Sequence, residues 1–493
     1  MNSITATFEK SHTAQERWGE RPIAYRAKQL LIIRETLLNH VDEIISLICE
    51  ETGKPRFEAL SSEVLPALEH LTFLAKSSKQ ILSDQPLPIR LFPHRRSDLN
   101  YTPLGVVAVI APWNFPFFIP FSDVISAVVA GNSVIVKPSE VTPRTGLKIQ
   151  ELCDEAGLPA GLVQIISGDA SAARAIIEHK PAKIFFTGSV GAGKEILSQA
   201  SKHLIPVNLE LGGKNALIVM RDADLDLATS AALWGGFSNA GQVCAATSRI
   251  LVHDSVASEF TELLLKKAAL LQAHPEENRP GRMISEKQIT VYQSHLADAR
   301  QRGLSILMGG EFSSDLRSLA PTLISGAGIE ESLVFQEESF GPIIALSQFK
   351  TPAEAVAACN RSALGLVASV FTRNLSQGRQ IAKQLQVGTV MINEVVYAAG
   401  LAEAPWGGIK ESGMGRTRGE LGLHSFVNTR HIHRPRSRLF SFKSHWWFPY
   451  TPFQYNTFRY LAELYRRHWT DKLKAFPHFL VNLVHLLKRE KRI

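Results

Sequence analysis

Between residues 22 and 82 the apolar positions Leu30, Ile33, Leu37, Val41, Ile44, Ile45 and Ile48 recur at steps of three and four. That is the period of one helix face, so the stretch predicts helices. Residues 83 to 103 break the pattern with Pro86, Pro88, Pro93 and Pro103. Proline removes a backbone donor, so this stretch reads as a linker or an edge-strand excursion. From Leu104 the rhythm changes. Short Val- and Ile-rich runs follow at Val106 to Ile110, Val134 to Val136, Val163 to Ile166 and Ile184 to Phe186. Helical segments lie between them, such as Thr145 to Ala156 and Ala170 to Glu178. Strand and helix alternating at this spacing predict parallel βαβ units. Such a sheet binds ligands beyond the carboxyl ends of its strands. Trp113-Asn114, Lys137 and Gly188-Ser189 all fall at those ends.

After Leu211 a second set begins: Ala216 to Val219, Ile250 to Val252, Ile343 to Leu346, Ala368 to Phe371 and Val390 to Ile392. It predicts a second α/β domain, closed by the glycine-rich run Pro405 to Gly415. With 493 residues there is room for two or more domains.

Charge changes the picture at one end only. His431 to Ile493 hold thirteen Lys or Arg against three Asp or Glu, while the whole chain is +8. The body is therefore slightly acidic, and the high isoelectric point describes the tail. The cysteines, Cys49, Cys153, Cys244 and Cys359, form no C-x-x-C pair. This argues against a zinc knuckle or dithiol motif, so no metal is expected, and it fits a reducing compartment such as the cytoplasm. Met1 to Glu20 are polar, without the apolar core of a secretory signal.

Three stretches carry candidate chemistry. Gly241-Gln242-Val243-Cys244 sets a cysteine behind a glycine turn. Leu209-Glu210-Leu211-Gly212-Gly213-Lys214 sets a carboxylate between leucines. Pro112-Trp113-Asn114-Phe115-Pro116 offers an amide donor. A nucleophile, a base and an oxyanion donor are what covalent carbonyl chemistry needs. Each residue also has a plainer reading. A lone cysteine is often a small core residue, and Cys49, Cys153 and Cys359 keep that reading. Glu210 could be a buried partner of Lys214 or Lys194, and Asn114 a turn residue. As a base, Glu210 gains from desolvation, which raises a carboxyl pKa. Gly188 to Lys194 nearly spells a phosphate-binding P-loop, but Glu195 stands where the magnesium-binding hydroxyl belongs.

Seven motifs in order carry a resemblance: PWNFP at 112, KPSE at 137, FTGS at 186, LELGGK at 209, GQVC at 241, EESFGP at 337 and PWGGIKESGMG at 405. From about residue 15 to about residue 430 the chain resembles the aldehyde dehydrogenase superfamily. Trp406, where many members carry Phe, and the tail beyond about 435 depart from it. The resemblance implies a Rossmann-like cofactor domain, a second α/β catalytic domain and a small bridging element for oligomers. The expected bounds are 1–88 with 104–211, 212–424, and 89–103 with 425–435, followed by a basic amphipathic tail at 436–493. A homodimer or homotetramer is expected.

The same resemblance assigns roles. Cys244 attacks the aldehyde, Asn114 and the Cys244 amide hold the oxyanion, and hydride passes to a nicotinamide. Glu210 then activates the water that hydrolyses the thioester. Lys137 and Glu140 look like the pair that meets the adenine ribose, and a carboxylate there favours NAD over NADP, which stays open as the alternative. Gly188, Ser189 and Gly193 look like the pyrophosphate turn, with Gly193 opening the helix behind it. Ile110, Trp113 and Gly168 complete the cofactor cleft, and Glu338 with Phe340 positions the nicotinamide. A CoA-acylating relative typically lacks the glutamate at the Glu210 position. A non-catalytic, membrane-associated scaffold would not need Cys244, Glu210 and Asn114 together.

The tail predicts two helices. Phe458, Leu461, Ala462, Tyr465 and Trp469 share one face, with Arg459, Glu463, Arg466 and Thr470 on another. Leu480, Leu483, Val484 and Leu487 face away from His478, Asn482 and His485, ahead of Lys488 to Arg492. Trp446 and Trp447 add aromatic anchors. No apolar run reaches the roughly 20 residues that span a bilayer. Basic aromatic helices suit an anionic membrane surface. Packing onto the enzyme or a sister subunit is the plainer alternative, and nucleic acid a weaker one. The apolar run Phe115 to Phe121 is expected to line the aldehyde tunnel, which with the tail points to a hydrophobic aldehyde, fatty or isoprenoid.

Overall fold

The structure, a computed structural model, describes residues 2–91, 94–273, 281–312, 317–440 and 447–490. Pro93, Trp446, Lys491 and Arg492 lie outside the described residues, as do the side chains of His485, Leu487, Lys488, Arg489 and Glu490. Two compact units are present: Met1–Ser83 with Asn100–Arg430, and Asp84–Leu99 with His431–Ile493.

The first unit holds two large sheets. One has six strands in the order Gly413–Met414, Val207–Glu210, Lys183–Thr187, Val106–Ile110, Ser133–Lys137 and Val163–Ile165. All its pairings are parallel except the first. Every residue of Val106–Ile110 is buried, because helices cover both faces. Val107 and Val109 pack into one core with Leu30, Ile33, Phe121 and Leu152. Val106, Ala108 and Ile110 pack into the other with Ile176, Ile184 and Ile196. The period of two thus splits one apolar run between two layers.

The second sheet has seven strands, in the order Ser305–Met308, Thr322–Ser325, Ile343–Phe349, Thr247–His253, Asn215–Val219, Val367–Phe371 and Thr389–Ile392. Only the edge strand Ser305–Met308 is antiparallel. This is the α/β architecture that the alternating pattern predicts. Residues at the start of the chain add a feature the polar reading did not anticipate. Asn2–Gly19 is a helix whose Phe8, Ala14 and Trp18 are buried. The Trp18 indole donates to the Val128 carbonyl at 2.8 Å.

A π-helical turn, Leu60–Val64, interrupts the helices between Arg56–Ala59 and Leu65–Ile81. Such turns widen a helix locally. Glu63 lies in this one and forms a completely buried ion pair with Lys54 at 2.5 Å. The other Glu63 oxygen accepts from the Phe117 and Phe118 amides at 2.8 and 3.2 Å. Lys54 Nζ also donates to the Asn114 carbonyl at 3.0 Å and lies 4.1 Å from the Phe115 ring centre.

In the second unit, Gln85–Leu87 pairs antiparallel with the strand Arg95–Pro103, Gln85 opposite Leu99 and Leu87 opposite Ser97. The stretch read as linker or edge strand is thus partly strand. Ser97 Oγ and His433 Nδ1 lie 2.8 Å apart. Pro452–Glu463 forms a helix with a capping box between Thr451 and Gln454. It packs on the helix Trp469–Glu490, with Tyr460 stacked on His478 at 5.1 Å. Tyr465, Trp469, Leu473, Phe476, Leu480 and Val484 remain exposed. No described helix is long and apolar enough to cross a membrane.

Replacing Lys54 with Met would leave Glu63 buried and unpaired. Lys54→Met is expected to lose about 3–5 kcal/mol of stability, read as a lower urea midpoint; an unchanged midpoint would show that the pair carries no stability.

Candidate active site

The nucleophile candidate is placed by a left-handed turn. Asn239, Ala240 and Gly241 have φ of 49°, 54° and 69°. Two of the three are not glycine, so the turn stores strain, of the kind that gathers at functional sites. Gln242, fully buried, then anchors the chain. Its side chain donates to the Asn239 and Arg282 carbonyls at 2.9 and 3.1 Å and accepts from the Ile284 amide at 2.9 Å. The Gln242 carbonyl accepts from the Asn114 side-chain amide at 3.0 Å. One amide proton of Asn114 is therefore committed, two residues from Cys244, and the other has no acceptor among the described residues. Asn215 fixes the far side, donating to the Cys244 and Ala246 carbonyls at 2.8 and 2.9 Å.

Cys244 and Glu210 open onto one cavity of about 860 Å³. Burial pushes the Cys244 thiol up to about 12, and the Glu210 and Glu338 charges add to this; Arg418 and the Ala245 amide oppose it. Glu210 is 7 % exposed, and neither carboxylate oxygen has a hydrogen-bond partner among the described residues. It does not pair with Lys214 or Lys194. Lys194 bonds Glu411 at 2.8 Å, and Lys214 is buried with no hydrogen-bond partner among the described residues. Burial first, then Asp123, raises the Glu210 pKa well above the usual carboxylate range, against the pull of Arg418 and Arg416. The glycine-rich run makes room for it. A Cβ at Gly407 would lie 2.8 Å from Glu210 Oε1.

The apolar run Phe115 to Phe121 divides. Phe115, Phe118 and Ile119 line the cavity. Phe117 and Phe121 turn into the core and stack at 4.9 Å. A helix shows only one stripe to the cavity. That stripe also carries Ser122 and Asp123.

Two lining residues escaped the sequence reading. Asp123 is 6 % exposed, and burial raises its pKa to about 7, with Arg418 pulling the other way. It is the lone charge in the apolar helix Phe118–Ala130, which was a readable signal. Arg418 is 8 % exposed, three residues past the glycine-rich motif, and no local pattern singles it out. The Lys54–Glu63 pair was equally unannounced.

The cofactor candidates gather at the carboxyl ends of the six-stranded sheet. Lys137 Nζ donates to the Pro138 and Gly168 carbonyls at 2.9 and 2.8 Å and meets the exposed Glu140 carboxylate at 3.2 Å. Ile110 ends its strand buried. Ser189 caps the helix Val190–Ser201, accepting from Ala192 N at 3.4 Å. The helix therefore opens at Val190, and Gly193 does not open it. Gly193 lies one turn in, where a Cβ would meet Leu211 at 2.6 Å. A helix terminus favours phosphate, and Gly191 leaves it clear, with nothing within 4 Å of a Cβ there. Glu338 accepts from the Gly213 amide at 2.9 Å, and burial raises its pKa to about 7. Trp113 and Phe340 meet edge to face at 5.5 Å. An exposed carboxylate, a clear helix terminus and an aromatic pair fit a dinucleotide. No cluster able to hold a metal occurs among the described residues.

Residues 2–432 match the aldehyde dehydrogenase family. The chain belongs to that family. It oxidises an aldehyde to the acid with NAD(P). It is 37% identical over 461 residues to 4,4'-diapolycopene aldehyde oxidase from Methylomonas sp, covering 92% of this chain and 86% of the relative. It is 35% identical to a putative succinate-semialdehyde dehydrogenase [NADP(+)] from Mycolicibacterium smegmatis, covering 87% and 84%. Among solved structures it resembles a point mutant of betaine aldehyde dehydrogenase from Staphylococcus aureus in complex with NAD+. That match has TM-score 0.82 and 31% identity, over 89% of this chain and 91% of the other.

In this dehydrogenase the fit of Gly407 against Glu210 is directly testable. Misplacing a reacting group by an ångström costs on the order of 100-fold. Gly407→Ala is expected to lower kcat by about that factor while alkylation of Cys244 stays unchanged; parent-like NADH formation would show that the carboxylate's placement is immaterial.

Proposed function

We propose that this aldehyde dehydrogenase acts on a long, apolar aldehyde through Cys244, Asn114 and Glu210. One observation carries the reading. The cavity that holds Cys244 and Glu210, about 860 Å³, is walled by Phe57, Leu65, Phe115, Phe118, Ile119 and Trp234. That volume is near the top of the roughly 300–1,000 Å³ range of small-molecule pockets. The Methylomonas relative, whose name records a 4,4'-diapolycopene aldehyde, supports the same substrate class.

The Cys244 thiolate adds to the aldehyde carbon, the C=O π pair moves to the oxygen, and that oxygen takes over the negative charge. The uncommitted Asn114 amide proton and the Cys244 backbone N–H stabilise that charge. NAD, or NADP, supplies the hydride acceptor when bound. Lys137 and Glu140 would hold its adenine ribose, and Glu140 would repel a 2′-phosphate, so NAD is the preferred form. Gly188, Ser189 and the start of Val190–Ser201 would hold the pyrophosphate, Ile110, Gly168 and Trp113 would complete the cleft, and Glu338 with Phe340 would position the nicotinamide. The acyl group is then a Cys244 thioester. Glu210 takes a proton from water, and the water oxygen displaces the sulfur. Burial raises the Glu210 pKa, which makes the carboxylate a stronger base toward that proton. Glu210 also favours hydrolysis over transfer to coenzyme A.

The expected panel result is a higher kcat/KM for medium-chain aldehydes than for succinic semialdehyde, with NADH formation abolished in Cys244→Ala. Preference for the charged aldehyde would end the substrate assignment.

The tail extends the proposal to place. Its exposed Trp447, Phe448, Tyr450, Trp469 and Phe476 lie among basic residues. Such surfaces bind anionic membranes peripherally, where an apolar aldehyde would reside. A cytoplasmic homodimer or homotetramer at that surface is the expected form. Anionic liposomes should float the full chain but not a variant lacking residues 437–493; equal flotation of both would remove the membrane role.

A further inference from the structure

Arg418 sits in a conformation that suits a different residue. Its φ of 59° and ψ of 169° fall in a region that essentially only glycine enters. Hydrogen bonds fix the backbone on both sides. Trp406 and Thr417 exchange a pair at 2.7 and 2.8 Å, and the Gly422 amide donates to the Arg418 carbonyl at 2.8 Å. The guanidinium lies 4.6 Å from the Phe118 ring centre and 5.9 Å from that of Trp406. Its Nε and Nη1 are enclosed and meet no acceptor among the described residues. Burying an unpaired cation is costly, and the backbone strain adds to that cost.

The charges around it supply a reason. Among the described residues Arg418 is the only cation lining the cavity, against Glu58, Glu69, Asp123, Glu210 and Glu403. Glu58 is tied to the Asn239 amide at 2.9 Å. Glu210, Asp123 and Cys244 interact with Arg418 electrostatically without a hydrogen bond to it. The groups facing Cys244 are Glu210 and Glu338, which oppose its thiolate, and Arg418, which favours it. Burial alone would keep the thiol protonated, and thiolate is the nucleophilic form.

We propose that Arg418 is a positioning residue acting through its charge, which favours thiolate at Cys244 and carboxylate at Glu210 in a cavity whose other lining charges are acidic. This rests on the reading of Cys244 as the nucleophile. Cation–π contact with Phe118 and Trp406 holds the guanidinium without neutralising it. A hydrogen-bonded salt bridge would spend the charge on one partner; here it is shared among three.

The test is the pH dependence of Cys244 alkylation by iodoacetamide in the full-length enzyme, followed by mass spectrometry of the Cys244 peptide so that Cys49 does not contribute. Arg418→Gly removes the charge and suits the backbone, so the variant should fold. Its alkylation midpoint is expected to rise by at least about one pH unit, with labelling near neutral pH slowed about tenfold. Arg418→Lys, which keeps the charge, should stay within about half a unit of the parent. An unmoved midpoint in Arg418→Gly would overturn the proposal, and so would a Lys variant that behaves like the Gly one. Lost turnover confined to carboxylate-bearing aldehydes, with the midpoint unmoved, would make Arg418 a substrate-binding group instead. Full activity in Cys244→Ala is a separate result: it removes the nucleophile reading, while the alkylation midpoint still decides the charge relation.

Discussion

Lys54 and Glu63 meet where no solvent reaches, so each charge depends on the other. Their spare hydrogen-bonding capacity goes to one turn. Lys54 bonds the Asn114 carbonyl, and Glu63 bonds the Phe117 and Phe118 amides. Asn114 in turn reaches the Gln242 carbonyl, two residues before Cys244. A chain of three contacts therefore runs from a π-helical turn near the start of the protein to the segment of the proposed nucleophile. Because it is buried and charged, it tolerates little displacement, and that rigidity is what preorganised carbonyl chemistry requires.

Around that frame the cavity works against its own ions. Apolar walls suit an apolar aldehyde, yet burial raises the pKa of the acids it removes from water. Glu210, Asp123, Glu338 and Cys244 are all pushed the same way by burial. For the proposed base the shift is useful. For the proposed nucleophile it is a handicap. One guanidinium, aimed inward by a strained backbone, opposes all but Glu338.

The second unit obeys a different balance. Its helices bury Thr457 and Ala475 and stack Tyr460 on His478, but leave many large apolar side chains exposed. Exposed aromatic patches on a soluble surface usually mark a docking face. Net positive charge on the same segment is the reason the proposed partner is an anionic surface.

Much was legible in the chain alone. Runs such as Val106 to Ile110 and Ile343 to Leu346 announced buried parallel strands, because a sheet covered on both faces needs no polar alternation. Cys244, Glu210 and Asn114 stood out because glycine turns and flanking leucines mark their surroundings locally. Nothing local marked Lys54, Glu63 or Arg418, whose importance comes from partners 60, 54 and 208 positions away in Asn114, Phe117 and Glu210. Nor could the order of residues say that Phe118 would face the cavity and Phe117 the core, or that the helix after Ser189 would begin before Gly193. Periodicity and residue type are short-range properties and are written in the chain. Desolvation and electrostatic coupling belong to the space around a group, which exists only once distant segments have packed together.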